Sequence, residues 1–314
     1  MFTKQILGNP DLSVPHCHCP TITLAPSGDL LVAWYAYAED ETRDGILIFA
    51  RKPVGKGGFE PPRRILSEMN SSLGNPVLFC DQSGTVHLLF VALRGHYWDS
   101  AVPLTCSSDE LGKSWSVPEA LRQPAGIMVR YPPILRRNDY FLSPAYDEKN
   151  NHTVLLTAGP DARGWMTVAH FDGPEAIQGC IVRQGDVELT MILRPCGDNP
   201  RCMRSISTDD GRTWSRVMPT SLPNPLSGVA AFGLDDMLCA VYNHTTQHRR
   251  YPLSLSYSTD RGTSWKGPIH IDETEHELSY PSFVVDRTGV AHGVYTFGRR
   301  RIQYVSFDRT WWLQ

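Results

Sequence analysis

Residues 15–22 read PHCHCPTI and set two histidines and two cysteines, His16, Cys17, His18 and Cys19, on consecutive positions. Such residues ligate metals or do thiol chemistry. In an extended strand, neighbours point to opposite faces. His16 and His18 then share one face, and Cys17 and Cys19 the other, so the four cannot close on one tetrahedral ion. No second Cys/His cluster with ligand spacing exists among the eight cysteines, at 17, 19, 80, 106, 180, 196, 202 and 239. We expect no metal, no cofactor, and cysteines that pack as small apolar residues. His18 remains as a candidate acid or base. Other side chains able to move protons or hold anions, among them Asp40, Glu148, Arg194, Arg250 and Tyr280, are scattered along the chain. They make a site only if the fold gathers them.

A repeat of about fifty residues supplies that fold. Six segments alternate apolar and polar residues around a tight turn: TITLAPSGDLLVAW, VLFCDQSGTVHLLF, PILRRNDYFLSPAY, CIVRQGDVELTMIL, VAAFGLDDMLCAVY and SFVVDRTGVAHGVY. Their turn residues Gly28, Gly84, Asn138, Gly185, Asp236 and Gly289 are spaced by 56, 54, 47, 51 and 53 residues. Each reads as a β-hairpin. Helical periodicity is nearly absent, and 24 prolines and 25 glycines suit many short strands. Six such units predict an all-β, six-bladed β-propeller of four-stranded antiparallel blades, one domain over residues 1–314.

A second motif lies between hairpins: STDDGRTW at 207–214, STDRGTSW at 258–265, and SSDELGKSW at 107–115, which reads one residue longer. Ser/Thr and Asp bond nearby amides, Gly takes a φ > 0 corner, and Trp packs beneath the turn. This chemistry staples a hairpin.

Register then locates a site. The first strand of each hairpin is innermost in its blade. Three of these begin with an X-Pro step eight residues before the turn glycine: Cys19-Pro20, Asn75-Pro76 and Tyr280-Pro281, with Tyr131-Pro132 and Gln178-Gly179 at similar places. The far end of the antiparallel second strand returns to the same face. It brings Glu39, Asp40, Glu41 and Asp44, then Arg94, His96 and Tyr97, Asp147 and Glu148, Arg194, Asn243, His244 and Arg250, and Arg299 to Arg301. Arginines of this kind grip carboxylates. The plainer reading of any one of them is a solvated loop charge.

Composition narrows the partners. Net charge is −3, which gives no global basic field for nucleic acid. No stretch approaches 18 apolar residues, so no membrane span is expected. The opening MFTKQILGNPDL lacks the apolar run of an export signal. A cytoplasmic protein with reduced thiols is the expectation.

The S-x-D-x-G-x-T-W box resembles the Asp-box, or BNR repeat, of the sialidase superfamily. The run from LPNPLSGVAAF through STDRGTSW to SYPSFVVDRTGVAHGVYTFGRRRIQYV resembles the sialidase-like BNR family in particular. The resemblance implies three arginines on a substrate carboxylate, an aspartate acid/base and a tyrosine nucleophile helped by a glutamate. The first arginine, in an R-I-P step, is matched here by His18 of His18-Cys19-Pro20. The second is matched by Arg194, and the third by Arg250, with Arg249 beside it. The tyrosine is Tyr280, the glutamate position holds Gln178, and the acid/base falls to Asp40, with Glu41 and Asp44 behind it. Asn75, Arg130, Tyr131 and His96 are further substrate-binding candidates, and His18 or Glu148 further acid–base candidates. Glutamate can take the tyrosine's proton and glutamine cannot. The first expectation is a sialidase-like glycoside hydrolase acting on an acidic or polar sugar. Two alternatives are a uronide lyase, with His18 or Tyr280 as base and arginine neutralising the carboxylate, and a non-catalytic propeller that binds a glycan or protein.

Overall fold

The computed structural model describes residues 2–8, 14–171 and 173–312. Its strands form six antiparallel sheets arranged as a six-bladed β-propeller, as the hairpin spacing predicts. Blade I runs 16–24, 30–37, 46–52 and 63–65, from the inner strand outward. Blades II, IV and V follow the same order from inner strands 73–80, 176–183 and 230–234. In blade III the inner strand is split into 127–129 and 134–135 around Tyr131-Pro132-Pro133. Two successive prolines offer no N–H to the ladder, which accounts for the gap. Blade VI takes its outer strand from the other end of the chain. Residues 2–7 pair with 301–307, Phe2 opposite Phe307 and Leu7 opposite Ile302. The hairpin repeat gives no hint of this closure.

The core lies in the seams between blades. Val32, Trp34 and Ile48 of blade I meet Val294, Ile302 and Tyr304 of blade VI. On the other side Leu31, Tyr35 and Phe49 meet Leu78, Leu88 and Phe90 of blade II. Alternating strand residues thus face alternate seams, and each fully buried Leu, Ile or Phe contributes about 1.5–3 kcal/mol.

The X-Pro steps prove to be bulges. Strand pairing slips between His18 and Thr21, Gly74 and Val77, Ile177 and Cys180, and Ser279 and Ser282. Within each slip one residue is left-handed: Cys19 (φ 55°), Asn75 (46°), Gln178 (53°) and Tyr280 (53°). Proline next in line in blades I, II and VI leaves no donor orphaned by the lost rung. In blade IV the place is Gly179, where a Cβ would lie 2.6 Å from Met191 Sδ.

This bulge corrects one expectation. Cys17 and Cys19 do not share a face, because the left-handed Cys19 reverses the alternation. Cys17 packs in the seam of blades VI and I, and Cys19 in that of I and II. Both are buried, and burial pushes their thiols up to about 12 and about 11. All eight cysteines are unpaired. Among the described residues no group of three or more His, Cys, Asp or Glu is placed to hold a metal ion, and no helix is long and apolar enough to cross a membrane.

The boxes staple turns. Asp209 accepts Ser207 Oγ (2.8 Å), the Thr213 amide (2.9 Å) and Thr213 Oγ1 (2.6 Å), while Trp214 Nε1 donates to the Gly211 carbonyl (3.2 Å). Asp260, Ser264 and Trp265 repeat the pattern. The third box is not a residue longer. Ser108 Oγ accepts from the Gly112 amide as Ser207 Oγ does from Gly211, so the box spans 108–115 with Glu110 in the aspartate's place. Ser114 Oγ bonds Glu110 at 3.2 Å, and Asp109 instead accepts Thr85 Oγ1 at 2.9 Å.

Candidate functional site

At the mouth of the central channel lies a cavity of about 360 Å³ to which all six blades contribute. Blade I supplies His18, Tyr35 and Glu41, and blade II supplies Asn75 and Trp98. Blade III adds Tyr146 and Glu148, blade IV Gln178 and Arg194, blade V Arg250, and blade VI Tyr280 and Arg299. The left-handed residues of four blades end at this one place, Cys19 just beneath it. Gly74 precedes Asn75 and carries no side chain where a Cβ would stand 2.7 Å from the Trp98 ring. That absence lets the indole lie across the pocket wall.

Two polar networks organise the walls. In the first, Arg194 Nη1 donates to Tyr280 Oη (3.1 Å) and to Gln178 Oε1 (3.3 Å). Gln178 Nε2 and Asn75 Nδ2 both donate to Tyr146 Oη, at 3.3 and 3.1 Å. The Cys19 thiol donates to Asn75 Oδ1 at 3.4 Å. In the second, Glu277 bridges Arg250 Nη1 (2.8 Å) and Arg299 Nε (2.9 Å) and accepts Ser279 Oγ (2.7 Å). Arg299 Nη1 also reaches Glu41 (2.9 Å), which accepts the Tyr35 hydroxyl (2.8 Å). Burial pushes the Glu277 carboxyl up, but Arg250 and Arg299 outweigh it and hold the group below its ordinary value. Glu148 is the opposite case. Burial raises its carboxyl, only partly offset by Arg194.

His18 is 3% exposed, so it is no clamp for an anion at the surface. Burial, then Arg299, Arg250, Arg130 and Arg194, hold its imidazole well below its ordinary value, so the ring is neutral. Its Nε2 lies 3.9 Å from Glu277 without forming an ion pair in that state. Nδ1 shares a hydrogen bond with Thr296 Oγ1 at 3.0 Å, and the ring meets Tyr280 edge-on with centroids 4.6 Å apart.

Of the residues singled out from sequence, Tyr280, Arg194, Arg250, Gln178, Asn75, His18 and Glu148 line the cavity. Asp40 does not. Its carboxylate accepts the Thr42 amide (2.8 Å) and hydroxyl (2.7 Å) and lies 3.3 Å from Arg43. Those Thr42 bonds hold it below the ordinary carboxylate range. Asp44 likewise bonds the amides of Glu39 and Asp40, and Glu41 is the residue of this loop that reaches the pocket. His96 is exposed and lines a neighbouring groove with Arg43 and Arg94. Tyr131 and Arg130 lie beneath the floor, 1% and 0% exposed. Sequence reasoning missed Glu277, Tyr35, Tyr146 and Trp98. It placed Arg299 at the rim but had no means to separate it from Arg300 and Arg301. A left-handed φ of 53° turns Arg299 inward, while its two neighbours are exposed.

A family model for the BNR repeat-like domain matches residues 28–292. The chain belongs to that family. In three dimensions this BNR repeat-like protein is similar to the Hadza microbial sialidase Hz136, with a TM-score of 0.82 and 15% identity over 96% of this chain and 67% of that one. It is similar to the intramolecular trans-sialidase of Ruminococcus gnavus, solved with oseltamivir carboxylate (0.80, 12%, 98% and 97%). It is also similar to a Dyadobacter fermentans protein of unknown function (0.77, 16%, 98% and 98%). At these identities the likeness is one of fold, and one fold hosts many activities. No curated protein matches the chain in sequence.

Proposed function

We propose that the protein is a sialidase-superfamily glycoside hydrolase that cleaves an acidic or polar sugar held in the mouth pocket. One observation carries the reading: Arg194 donates to the hydroxyl of Tyr280, whose own backbone is left-handed at the head of the inner strand. A bulky residue is seldom found in that conformation, and such outliers cluster at working sites. A guanidinium on a phenolic oxygen stabilises negative charge there.

The chemistry follows from the lining. Arg194, Arg250 and Arg299 meet the anionic or hydroxylated face of the sugar. Tyr280 attacks the anomeric carbon while Glu148, whose carboxyl burial raises, gives its proton to the leaving oxygen. Gln178 accepts no proton, so the phenol's proton passes to water in the open mouth. Water then cleaves the glycosyl–tyrosine, giving a proton to the Glu148 carboxylate as base, while the departing phenolate takes a proton back from solvent in the mouth, and configuration is retained. The test is a panel of sialosides, uronides and neutral glycosides, with products followed by NMR. The wild type is expected to release a sugar of retained configuration, and Tyr280→Phe to lose about 10³-fold or more. Inversion, or full activity in Tyr280→Phe, sinks the mechanism.

A second reading, elimination from a uronide, is favoured by one feature. Among the described residues no carboxylate bonds the Tyr280 hydroxyl, while a neutral imidazole packs against its ring. An ultraviolet-absorbing unsaturated product would select it.

A further inference from the structure

Arg130 is the least explained side chain in the molecule. It is 0% exposed, and among the described residues its hydrogen bonds all go to backbone carbonyls: Nη1 to Pro20 (3.1 Å), Nη2 to Tyr280 (2.8 Å) and Pro281 (3.2 Å). Its Nε is buried with no partner. The guanidinium lies 4.5 Å from the Tyr131 ring centroid and 5.3 Å from that of Tyr280. A buried cation without a carboxylate is costly, and neutral amide donors would serve the same carbonyls without that cost. The charge itself therefore asks for a purpose. The carbonyls it holds flank two of the left-handed bulges, Cys19-Pro20 and Tyr280-Pro281.

We propose that Arg130 is a positioning residue for Tyr280: it clamps the left-handed turn through the carbonyls of Tyr280 and Pro281, and its unpaired charge beneath the ring stabilises the ionised phenol. When the phenolic O–H breaks, its proton goes to water in the mouth. The electron pair left on Oη spreads into the ring, between Arg194 at the oxygen and two guanidiniums over the ring, the carboxylate-free Arg130 at 5.3 Å and Arg250, paired with Glu277, at 5.6 Å. The use of that phenolate as a nucleophile rests on the hydrolase reading; its stabilisation does not.

The experiment needs no substrate. Brief iodination at fixed pH modifies ionised tyrosines, and mass spectrometry of the peptide carrying residue 280 gives the rate at that site, with Tyr280→Phe as blank. Arg130→Gln keeps donors and removes charge; Arg130→Lys keeps charge and loses the fork. Thermal melts verify that each is folded. We expect the rate to fall about tenfold in Arg130→Gln and to stay within about threefold of wild type in Arg130→Lys. A wild-type rate in Arg130→Gln overturns the proposal. If that variant does not fold, a tenfold loss in a folded Arg130→Lys overturns it equally. With an active glycoside, Arg130→Gln lowers kcat and leaves KM within about threefold, since Arg130 touches no sugar. A lack of turnover on every glycoside counts against the hydrolase reading alone, and the iodination rates still decide this one.

Discussion

The inner-strand bulges and the Asp-box turns are the two repeated devices of this propeller, and they have opposite content. Both rest on left-handed residues: Cys19, Asn75, Gln178 and Tyr280 in the bulges, Leu111, Asp210 and Arg261 beside the box glycines. The boxes at 207–214 and 258–265 repeat the same Asp and Trp, and those side chains are consumed by bonds within their own turn. The bulges repeat only the backbone. They carry a thiol, two amides and a phenol, and these bond to partners in other blades. A backbone device that recurs with unlike side chains delivers different groups to one place. A device that recurs with like side chains holds itself together.

The sharpest break would come from exchanging the fates of the two. Tyr280→Phe removes one oxygen from a bulge and is expected to abolish turnover by about 10³-fold or more with an unchanged melting temperature. Asp209→Ala removes a whole carboxylate from a box and is expected to leave kcat/KM within about twofold. Loss of activity in the box variant, measured on folded protein, would dissolve the distinction.

The next largest effect separates two carboxylates by their surroundings. Glu148 is half-buried in the pocket wall and raised, whereas Asp40 is bonded to its own loop and lowered. Glu148→Gln is expected to cost about 10²–10⁴-fold in kcat, the usual worth of a general acid. Asp40→Asn should cost less than about threefold. The pH profile sharpens the pair. A raised carboxyl gives its proton only while protonated, so activity falls as pH rises through the Glu148 value. Glu148→Gln flattens that limb and Asp40→Asn keeps it. A flattened limb in Asp40→Asn would return the acid role to the loop.

How much of this was legible in the sequence follows the same division. Turn residues and alternation are local, so the six hairpins read directly, and the X-Pro steps marked where the inner strands open on the mouth. Register therefore brought Tyr280, Gln178, Asn75 and His18 to the pocket without any contact being known. What stayed hidden depends on side-chain direction and on partners far away in the chain. Arg299 differs from Arg300 and Arg301 by one backbone angle. Asp40 was the acid/base that the resemblance implied, and nothing in the residue types announced the Thr42 bonds that occupy it. Cys17 and Cys19 were assigned one face because a bulge leaves no trace in an alternation count. Arg130, next to Tyr131-Pro132, had the spacing of a rim residue and points into the interior instead. The pairing of 2–7 with 301–307 joins opposite ends of the chain, beyond any repeat.

A smaller effect tests whether the boxes are staples in energetic terms. The Thr213 hydroxyl and amide hold the Asp209 carboxyl down at about 2, and burial opposes them only slightly. Its unfolded value is about 3.9. A lowered folded value means that the stabilisation is complete above the unfolded value and is lost as pH falls through about 4 toward 2. Asp209→Ala should therefore lower stability by about 1 kcal/mol at pH 7, the worth of such a cap at a partly exposed turn. Denaturant midpoints of variant and wild type should converge only below about pH 2, once the folded carboxyl is itself protonated. A gap that persists there would mean that packing under Trp214, rather than the charged cap, closes the turn.

The smallest effect lies within the boxes and asks whether position or residue type makes the staple. In the box at 108–115 the aspartate's place is held by Glu110, which carries one more methylene. Ser114 Oγ reaches it at 3.2 Å, against 2.6 Å for Thr213 on Asp209 and for Ser264 on Asp260. The longer side chain leaves the bond looser, and Asp109 bonds Thr85 across the seam of two strands instead. Glu110→Asp is therefore expected to raise the melting temperature slightly by restoring the short geometry, although it shortens the side chain. Asp109→Asn should lower it slightly, through Thr85 alone. If Glu110→Asp destabilises the protein instead, the glutamate's extra methylene is fitted to this turn, and residue type rather than position makes the staple there.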